Sequence, residues 1–437
     1  MDGEGALVVF RAPGRNRKRT TGKPAPKGGQ GRYPRNAMNV RTAVGDELKA
    51  LWAGGKGTSL VVVATAWGLL VGARMIYPVV LPYLQDTYGL SLSVAGLLVT
   101  VLWLFGSLGQ LPGGLLADRY DERLLLTAST LIVAVALGAV VTSASPVVLF
   151  LATAVWGLGH SLYPIARITF LSNRYADRLG SALGVTMATG DVGQTVLPPI
   201  AAAIAAAVAW QAGLGFVAPL LFLGSIVIFV VLPTTGSSTE PANSTSLRDT
   251  LGILTELRNP AMGFMSAILF LYIFIWQSFT AFYPTYLTSV KELSPSVASL
   301  LFGLFFAVGV VVKPVAGAAY DRIGMRGSLV IVLLPPVVGF TLLPLVDSVW
   351  VLVGVTALIS TMLGSGAITQ SYLADSFSEE MQGTGLGVIR TATATLGAGG
   401  PVLFGVIADY GFFDQGYFAL AGIMAVVILL TLRMPRS

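Results

Sequence analysis

The sequence predicts an all-α membrane protein with twelve transmembrane helices arranged as two pseudo-symmetric bundles of six. Composition is the first reason, because 54% of the 437 residues are hydrophobic and 11% are charged, whereas an average soluble domain has about 25% charged residues. The other two reasons are a regular series of apolar segments and a repeat that relates the two halves of the chain. Such a chain is expected to be a multi-pass protein of the plasma membrane, surrounded by the lipid bilayer.

The apolar segments are the individual elements of this prediction. Each has about 20 residues or more, which is enough to cross about 30 Å of hydrocarbon as a helix. A polar stretch separates the first six from the last six. The segments lie at residues 58–84, 91–116, 124–143, 146–171, 180–208, 212–233, 261–288, 295–318, 328–346, 348–373, 383–408 and 415–433.

The polar stretches define the domain organisation. Residues 51–233 and 260–437 are the two predicted six-helix bundles, and residues 234–259, which begin with a polar run, are predicted to be a cytoplasmic linker. Residues 1–50 are predicted to be a disordered basic tail, since they lack apolar periodicity. The charge of this tail suits solvent or a lipid surface better than nucleic acid, and Met38 is an alternative start.

Charge predicts the orientation of the chain, and cysteine and histidine usage limits its possible chemistry. The arginines of the short loops lie on the same side as the basic tail, so the positive-inside rule predicts that both termini are cytoplasmic. The chain contains no Cys and a single His, which excludes disulfides, thiol nucleophiles and clustered Cys or His metal sites. We expect no cofactor, no metal and no nucleic-acid partner, and we expect a monomer.

The repeat relates loops as well as apolar segments. "GGLLADRYDER" at 113–123 and "AGAAYDRIGMR" at 316–326 align when shifted by 203 residues. The same shift aligns "LSLSVAGLL" at 90–98 with "LSPSVASLL" at 293–301. A general likeness between membrane helices explains shared Leu and Val, but not charged loop residues in register. The matched loop residues are Gly114 and Gly317, Asp118 and Asp321, Arg119 and Arg322, and Arg123 and Arg326.

These loops resemble the signature of the major facilitator superfamily, Gly-x-x-x-Asp-Arg/Lys-x-Gly-x-Arg/Lys. The second copy fits fully, and the first has Asp121 in place of the later Gly. The resemblance extends over about residues 50 to 434. It implies two six-helix bundles around a central cavity that opens alternately to either side, with helices 1, 4, 7 and 10 lining the cavity. It also implies that helix 2 faces helix 11 and that helix 5 faces helix 8.

The loop motif itself suggests a latch between the bundles. A carboxylate beside the N-terminus of a neighbouring helix is stabilised by about 0.3–1 kcal/mol, and arginines add pairing. Such a contact must break before the cytoplasmic side opens. The candidate latch residues are Gly114, Asp118, Arg119, Arg123, Gly317, Asp321, Arg322 and Arg326.

Arg74 is the most unusual charge in the sequence. It stands in the middle of the first apolar segment, which is otherwise uncharged, and a charge at the bilayer centre costs about 2.5–3.5 kcal/mol even on lenient insertion scales. The residue is too deep to reach the membrane surface comfortably, so we expect it beside the cavity. Two interpretations stay open: a contact to an anionic substrate, or a structural bond to a backbone carbonyl or an acid.

The residues after Arg74 carry a second resemblance. Arg74 followed at a fixed distance by Pro82, Tyr83 and Leu84 resembles helix 1 of the organophosphate:phosphate antiporters, in which the arginine contacts substrate phosphate. Those antiporters have a second arginine in helix 7, whereas the repeat places Gln277 at the position equivalent to Arg74. A phosphate ester is therefore a less fitting substrate than another small anion.

Further candidates lie on other segments. His160, Tyr163 and Arg167 are spaced to share one helix face; for Arg167, a side chain reaching back to the cytoplasmic surface is an equal alternative, and His160 could be a packing residue. The remaining aromatics, Trp67 and Trp103 among them, are predicted to be packing or interfacial residues. The candidate substrate-binding residues are Arg74, Tyr77, His160, Tyr163, Arg167, Trp276, Gln277 and Arg390.

One acid lies clearly inside an apolar segment. Asp191 in the fifth segment and Lys313 in the eighth are at similar depth. Because the family resemblance implies that helices 5 and 8 face each other, the two residues are predicted to form an interdomain or coupling charge pair. This pairing leaves Arg74, Arg167 and Arg390 without an acidic partner. An anion is the simplest counter-charge for them.

The predicted function is secondary transport of a small organic anion, by proton symport or by anion exchange. The alternative is a proton-coupled exporter of drugs or other lipophilic compounds. Exporters of this superfamily usually have a Gly- and Pro-rich motif in helix 5, from which "GDVGQTVLPP" at 190–199 departs. An intramembrane enzyme is disfavoured, because the sequence has no H-E-x-x-H motif and no paired buried acids.

Overall fold

The computed structural model describes most of the chain after the N-terminal tail. The described residues are 51–52, 55–117, 119–234, 260–376 and 382–434. Within them, all regular secondary structure is helical. The tail predicted at 1–50 and all but the first residue of the linker predicted at 234–259 lie outside the described residues, and so does Asp118.

The N-terminal half begins with its longest helix, which has 32 residues. Its helices are α1 (Gly57–Tyr88), α2 (Leu92–Leu108), α3 (Gln110–Ala117), α4 (Glu122–Val141), α5 (Pro146–Arg174), α6 (Leu179–Ala207), α7 (Trp210–Gly215) and α8 (Val217–Val231). Serine hydroxyls start two of them, since Ser91 caps α2 and Ser145 caps α5 by accepting a bond from a first-turn N–H group.

The C-terminal half contains the longest helix. Its helices are α9 (Pro260–Ser289), α10 (Pro295–Leu342), α11 (Val349–Ser360), α12 (Ser365–Ser376), α13 (Gln382–Gly397), α14 (Gly400–Asp409) and α15 (Phe413–Arg433). α10 has 48 residues and is bent at Gly324, whose φ of 70° and ψ of 179° are not helical. Glycine adopts a positive φ without steric strain, so the predicted segments at 295–318 and 328–346 form two arms joined at this kink.

Ten segments of the described chain are long and apolar enough to cross a membrane. The kinked Pro295–Leu345 counts as one of the ten, and α6, although it has 29 residues, is not among them. The structure therefore agrees with an all-helical, polytopic membrane protein.

Both halves repeat a hydrogen bond between tyrosine and threonine. The Tyr77 and Thr153 hydroxyls are 2.6 Å apart, joining α1 to α5, and the Tyr283 and Thr356 hydroxyls form the corresponding bond between α9 and α11. Within the N-terminal half, α1 and α6 pack with their backbones in contact: a Cβ placed on Gly193 would lie 2.0 Å from the carbonyl oxygen of Gly68.

The halves meet chiefly through two helix pairs. α2 of the N-terminal half packs against α14 of the C-terminal half, and α6 packs against α10. These are the pairs that the family resemblance implied, helix 2 with helix 11 and helix 5 with helix 8. They position the charged residues described next.

Candidate functional site

Two arginine–tryptophan pairs lie among the apolar helices. The guanidinium carbon of Arg74 is 3.9 Å from the ring centre of Trp103, and that of Arg167 is 4.0 Å from the ring centre of Trp67. Both geometries are cation–π contacts, in which the electron-rich ring face attracts the cation. Trp67 and Arg74 stand seven residues apart on α1, two turns of the same helix face. α1 thus contributes one member to each pair.

The Arg74 pair extends into the C-terminal half. Trp276 on α9 packs edge-on against Trp103, with ring centres 5.0 Å apart. Arg74 Nε and Trp276 Nε1 are buried without a hydrogen-bond partner, and so is Oε1 of Gln277, the next residue on α9. Buried polar groups are normally paired, so this region offers two donors and one acceptor to a molecule that enters it.

No carboxylate of the described residues pairs with Arg74. The described ion pairs within the chain involve Lys291 with Asp347 and Lys313 with Asp191. No described hydrogen bond joins the Arg74 side chain to a backbone carbonyl either. The structural interpretation of Arg74 therefore has no partner in the described part of the chain beyond the Trp103 ring.

The Arg167 pair is internal to the N-terminal half. Arg167 is 5% exposed and its Nη1 donates to Thr186 Oγ1 at 3.2 Å, so its side chain does not reach back to the membrane surface. Trp67 also stacks on His160 and Tyr163, with ring centres 5.9 and 6.0 Å apart. The Tyr163 hydroxyl donates to the Val63 carbonyl at 2.8 Å. His160, Tyr163 and Arg167 therefore share one face, as their spacing predicts.

Two predicted site residues lie elsewhere. Tyr77 is fully buried, bonds to Thr153 and packs edge-on against Trp156. Its contacts are those of a packing residue. Arg390 on α13 is exposed, and its side chain forms no hydrogen bond or ion pair with another described residue. Neither residue joins the two arginine–tryptophan pairs.

Trp103 belongs to the hydrophobic core and Trp67 packs against it, as predicted, but each also stacks on an arginine, a contact that was not predicted from the sequence. The spacing of Trp67 from Arg74 was a usable local signal. Trp103 had none, since it approaches Arg74 from a different helix.

Asp191 and Lys313 meet between α6 and α10. Lys313 Nζ lies 2.5 Å from Asp191 Oδ1, with side-chain exposures of 32% and 13%. The contact joins the two halves of the chain.

The described latch residues are not engaged across the halves. Arg123 lies over the Phe229 ring at 4.8 Å and bonds to the Phe229 carbonyl, which is within the N-terminal half. Arg119, Asp321 and Arg322 are exposed. No described atom lies within 4 Å of a Cβ placed on Gly114 or Gly317. At this end, called here the latch end, the described latch residues leave the two halves apart.

The apolar helices and the charged residues held among them define a polytopic membrane protein with an internal polar site. The model of the Major Facilitator Superfamily matches residues 62–399 and, in a second alignment, residues 266–437. The chain belongs to this family. Its relatives and its fold are those of transporters and not of enzymes.

Similar proteins include carriers named for anions. The hexuronate transporter of Bacillus subtilis (strain 168) is 23% identical over 373 residues, covering 81% of this chain and 88% of that protein. The nitrite extrusion protein of the same strain is 23% identical over 354 residues, covering 79% and 86%. A solved structure of a bacterial homologue of the human lysosomal transporter Spinster, inward-facing and occupied, superposes with a TM-score of 0.74 at 14% identity. It covers 86% of this chain and 96% of that one, and it shows the shared fold alone.

Proposed function

We propose that the protein is a secondary active transporter that carries a small organic anion by alternating access, through proton symport or anion exchange. The observation that carries the proposal is the Arg74 guanidinium, which stacks on Trp103 and has no carboxylate partner in the described chain. Relatives of the family that are named for hexuronate, nitrate and nitrite support an anionic substrate.

Energetics favour a missing counter-ion at Arg74. A cation–π contact contributes about 0.5–2 kcal/mol, whereas a charge at the bilayer centre costs about 2.5–3.5 kcal/mol. Trp103 therefore offsets only part of the cost of burying Arg74. An anion bound to the guanidinium would supply the remainder through charge-assisted hydrogen bonds, which are about twice as strong as neutral ones.

Neighbouring polar atoms favour an organic anion. Trp276 Nε1 is a free donor and the Gln277 amide oxygen a free acceptor in the described structure. Nitrate and nitrite carry no hydrogen-bond donor for that oxygen. A hydroxylated carboxylate provides both a carboxylate for Arg74 and hydroxyl groups for Gln277.

Alternating access is proposed from the charges between the halves. Twelve spans follow if the two arms of α10 each cross the membrane and α6 crosses once. With both termini cytoplasmic, the latch end faces the cytoplasm and this conformation is open toward it. Asp191 and Lys313 are proposed as the interdomain or coupling pair, and the latch residues are proposed to engage when the cytoplasmic side closes.

A thermal-shift experiment on purified protein tests the substrate class. A hexuronate is expected to raise the unfolding temperature, since ligands that bind the native state stabilise it. Nitrate and a lipophilic cation serve as the competing probes. A shift with nitrate alone would favour an inorganic anion, and a shift with the cation alone would favour the drug-exporter alternative.

Variants of Arg74 test the role of this residue. Arg74→Lys is expected to fold but to weaken anion binding about tenfold or more, because Lys cannot form a bidentate contact with a carboxylate. Arg74→Gln is expected to bind still less. Arg433→Gln is the matched control, since it makes the same change at an exposed helix end. Normal affinity of both Arg74 variants for the stabilising anion would show that Arg74 is structural.

A further inference from the structure

A single carboxylate bridges the two halves at the end opposite the latch. Asp409, the last residue of α14, accepts hydrogen bonds from the backbone N–H groups of Leu92 and Ser93 at 2.6 and 2.8 Å. These N–H groups open α2, which belongs to the other half of the chain. The contact is called here the Asp409 cap, and this side of the molecule the Asp409 end.

The cap completes the start of α2. The first four N–H groups of a helix have no partner within the helix. Ser91, the N-cap of α2, accepts from the Val94 N–H through its hydroxyl. Asp409 accepts from the two N–H groups that precede Val94, those of Leu92 and Ser93. Separating the halves would therefore transfer these two exposed donors from a carboxylate to water and leave no negative charge at the start of α2.

Asp409 also favours the closed arrangement through helix electrostatics. A negative charge is disfavoured at the C-terminus of a helix and favoured at an N-terminus. Asp409 is at the C-terminus of its own helix and at the N-terminus of α2. When the halves separate, the carboxylate keeps the unfavourable neighbour and loses the favourable one.

The internal repeat shows that this cap is specific to one half. The helix start equivalent to α2 is that of α10, where Pro295 replaces Leu92 and Ser294 provides the cap for Val297. Proline at the first helical position has no N–H group to offer. The residue equivalent to Asp409 is Ala206. The second copy thus lacks one of the two donors and also the acceptor.

Close packing surrounds the cap. A Cβ on Gly96 would lie 2.3 Å from the Pro401 carbonyl oxygen, and one on Gly405 would lie 2.4 Å from that of Leu92. The Val402 N–H donates to Thr100 Oγ1 at 3.2 Å. α2 and α14 therefore each accept a first-turn N–H bond from the other, and the two helices are in close contact at this end.

We propose that Asp409 is the closing latch of this end: it caps α2 across the interface only while the end is shut, so that both of its bonds must break when the end opens. This inference goes beyond the proposed function, because it holds for any cargo. Leu92 is part of this closing latch, because its backbone N–H group is one of the two donors.

The experiment measures opening of the Asp409 end by cysteine labelling. The chain has no cysteine, so Thr100→Cys introduces a single label site that is 7% exposed in this state and contacts α14. In intact cells, the rate of modification by a membrane-impermeant maleimide follows the population open to the outside. In this background, Asp409→Ala is expected to raise the rate about fivefold, the equivalent of removing a helix N-cap. Asp409→Asn is expected to give a smaller increase, since it keeps one acceptor and loses the charge.

Two controls separate the cap from general loss of charge or packing. Asp414→Asn removes a carboxylate five residues away that accepts from Tyr286 within the C-terminal half, and it is expected to leave the labelling rate unchanged. Leu92→Pro copies the second repeat and removes one donor, so it is expected to raise the rate less than Asp409→Ala and to add nothing to it. An unchanged rate in Asp409→Ala, or an equal increase in Asp414→Asn, would overturn the proposal.

Discussion

Glycines at the two ends of the interface between the halves have opposite surroundings. At the Asp409 end, Gly96 and Gly405 bring backbone against backbone, with no room for a Cβ. At the latch end, Gly114 and Gly317 have no described atom within 4 Å of a placed Cβ, and the same is true of Gly180. Small residues at the open end have no packing reason in this state. The difference suggests that small residues are needed here in the state in which that end closes.

The largest expected effect on stability comes from replacing a glycine with valine at each of the two ends. Gly96→Val is expected to destabilise this state by about 1–3 kcal/mol through overpacking against Pro401. Gly114→Val makes the same change in a helix where space is free, so its effect on stability is expected within about 0.5 kcal/mol. Thermal unfolding of both variants checks the comparison.

Transport assays on the same two variants test whether each end must close during transport. Both are expected to slow transport, because each obstructs the closing of one end. Equal stability of Gly96→Val and the parent protein would show that Gly96 and Pro401 leave room for a larger side chain. Normal transport by Gly114→Val would show that the latch end never closes on this glycine.

An intermediate effect is expected at the Asp191–Lys313 pair. Asp191 and Lys313 lie on the latch side of the close contact between Thr195 of α6 and Gly303 of α10. Because both side chains are partly exposed, the coupling should fall below the 3–5 kcal/mol lost on breaking a fully buried pair. A double-mutant cycle with Asp191→Asn and Lys313→Met is expected to show coupling above about 0.5 kcal/mol. Additive effects on the free energy of unfolding would mean that the pair does not hold the halves together.

The smallest expected effect on stability is that of Asp321→Ala. Asp321 is exposed and forms no ion pair with another described residue, so removal should change the free energy of unfolding by less than about 0.5 kcal/mol. If Asp321 is a latch residue, transport should nevertheless change. A large loss of stability would instead place Asp321 in a contact of the open state.

The sequence predicted what depends on local pattern and on the cost of buried charge. Arg74 stood out because nothing near it in the first apolar segment balances its charge, and Asp191 with Lys313 because their depths match. Asp409 carried no such signal, because it lies at the end of an apolar segment, where an acidic residue is expected to belong to a loop. Its partner Leu92 is more than 300 residues away. The difference between Leu92 and Pro295 can be interpreted only once Asp409 is known to accept from the Leu92 N–H group.

The edge-to-face contact of Trp103 and Trp276 also gives the protein an optical property. The two indoles belong to different halves and have ring centres 5.0 Å apart, near enough for their transition dipoles to couple. That coupling falls with the cube of the distance, so the near-ultraviolet circular dichroism of the pair should change when the halves rotate. Because the Arg74 guanidinium lies on the Trp103 face, an anion drawn to it would perturb the same chromophore. The protein thus has an intrinsic spectroscopic probe at the junction of its halves.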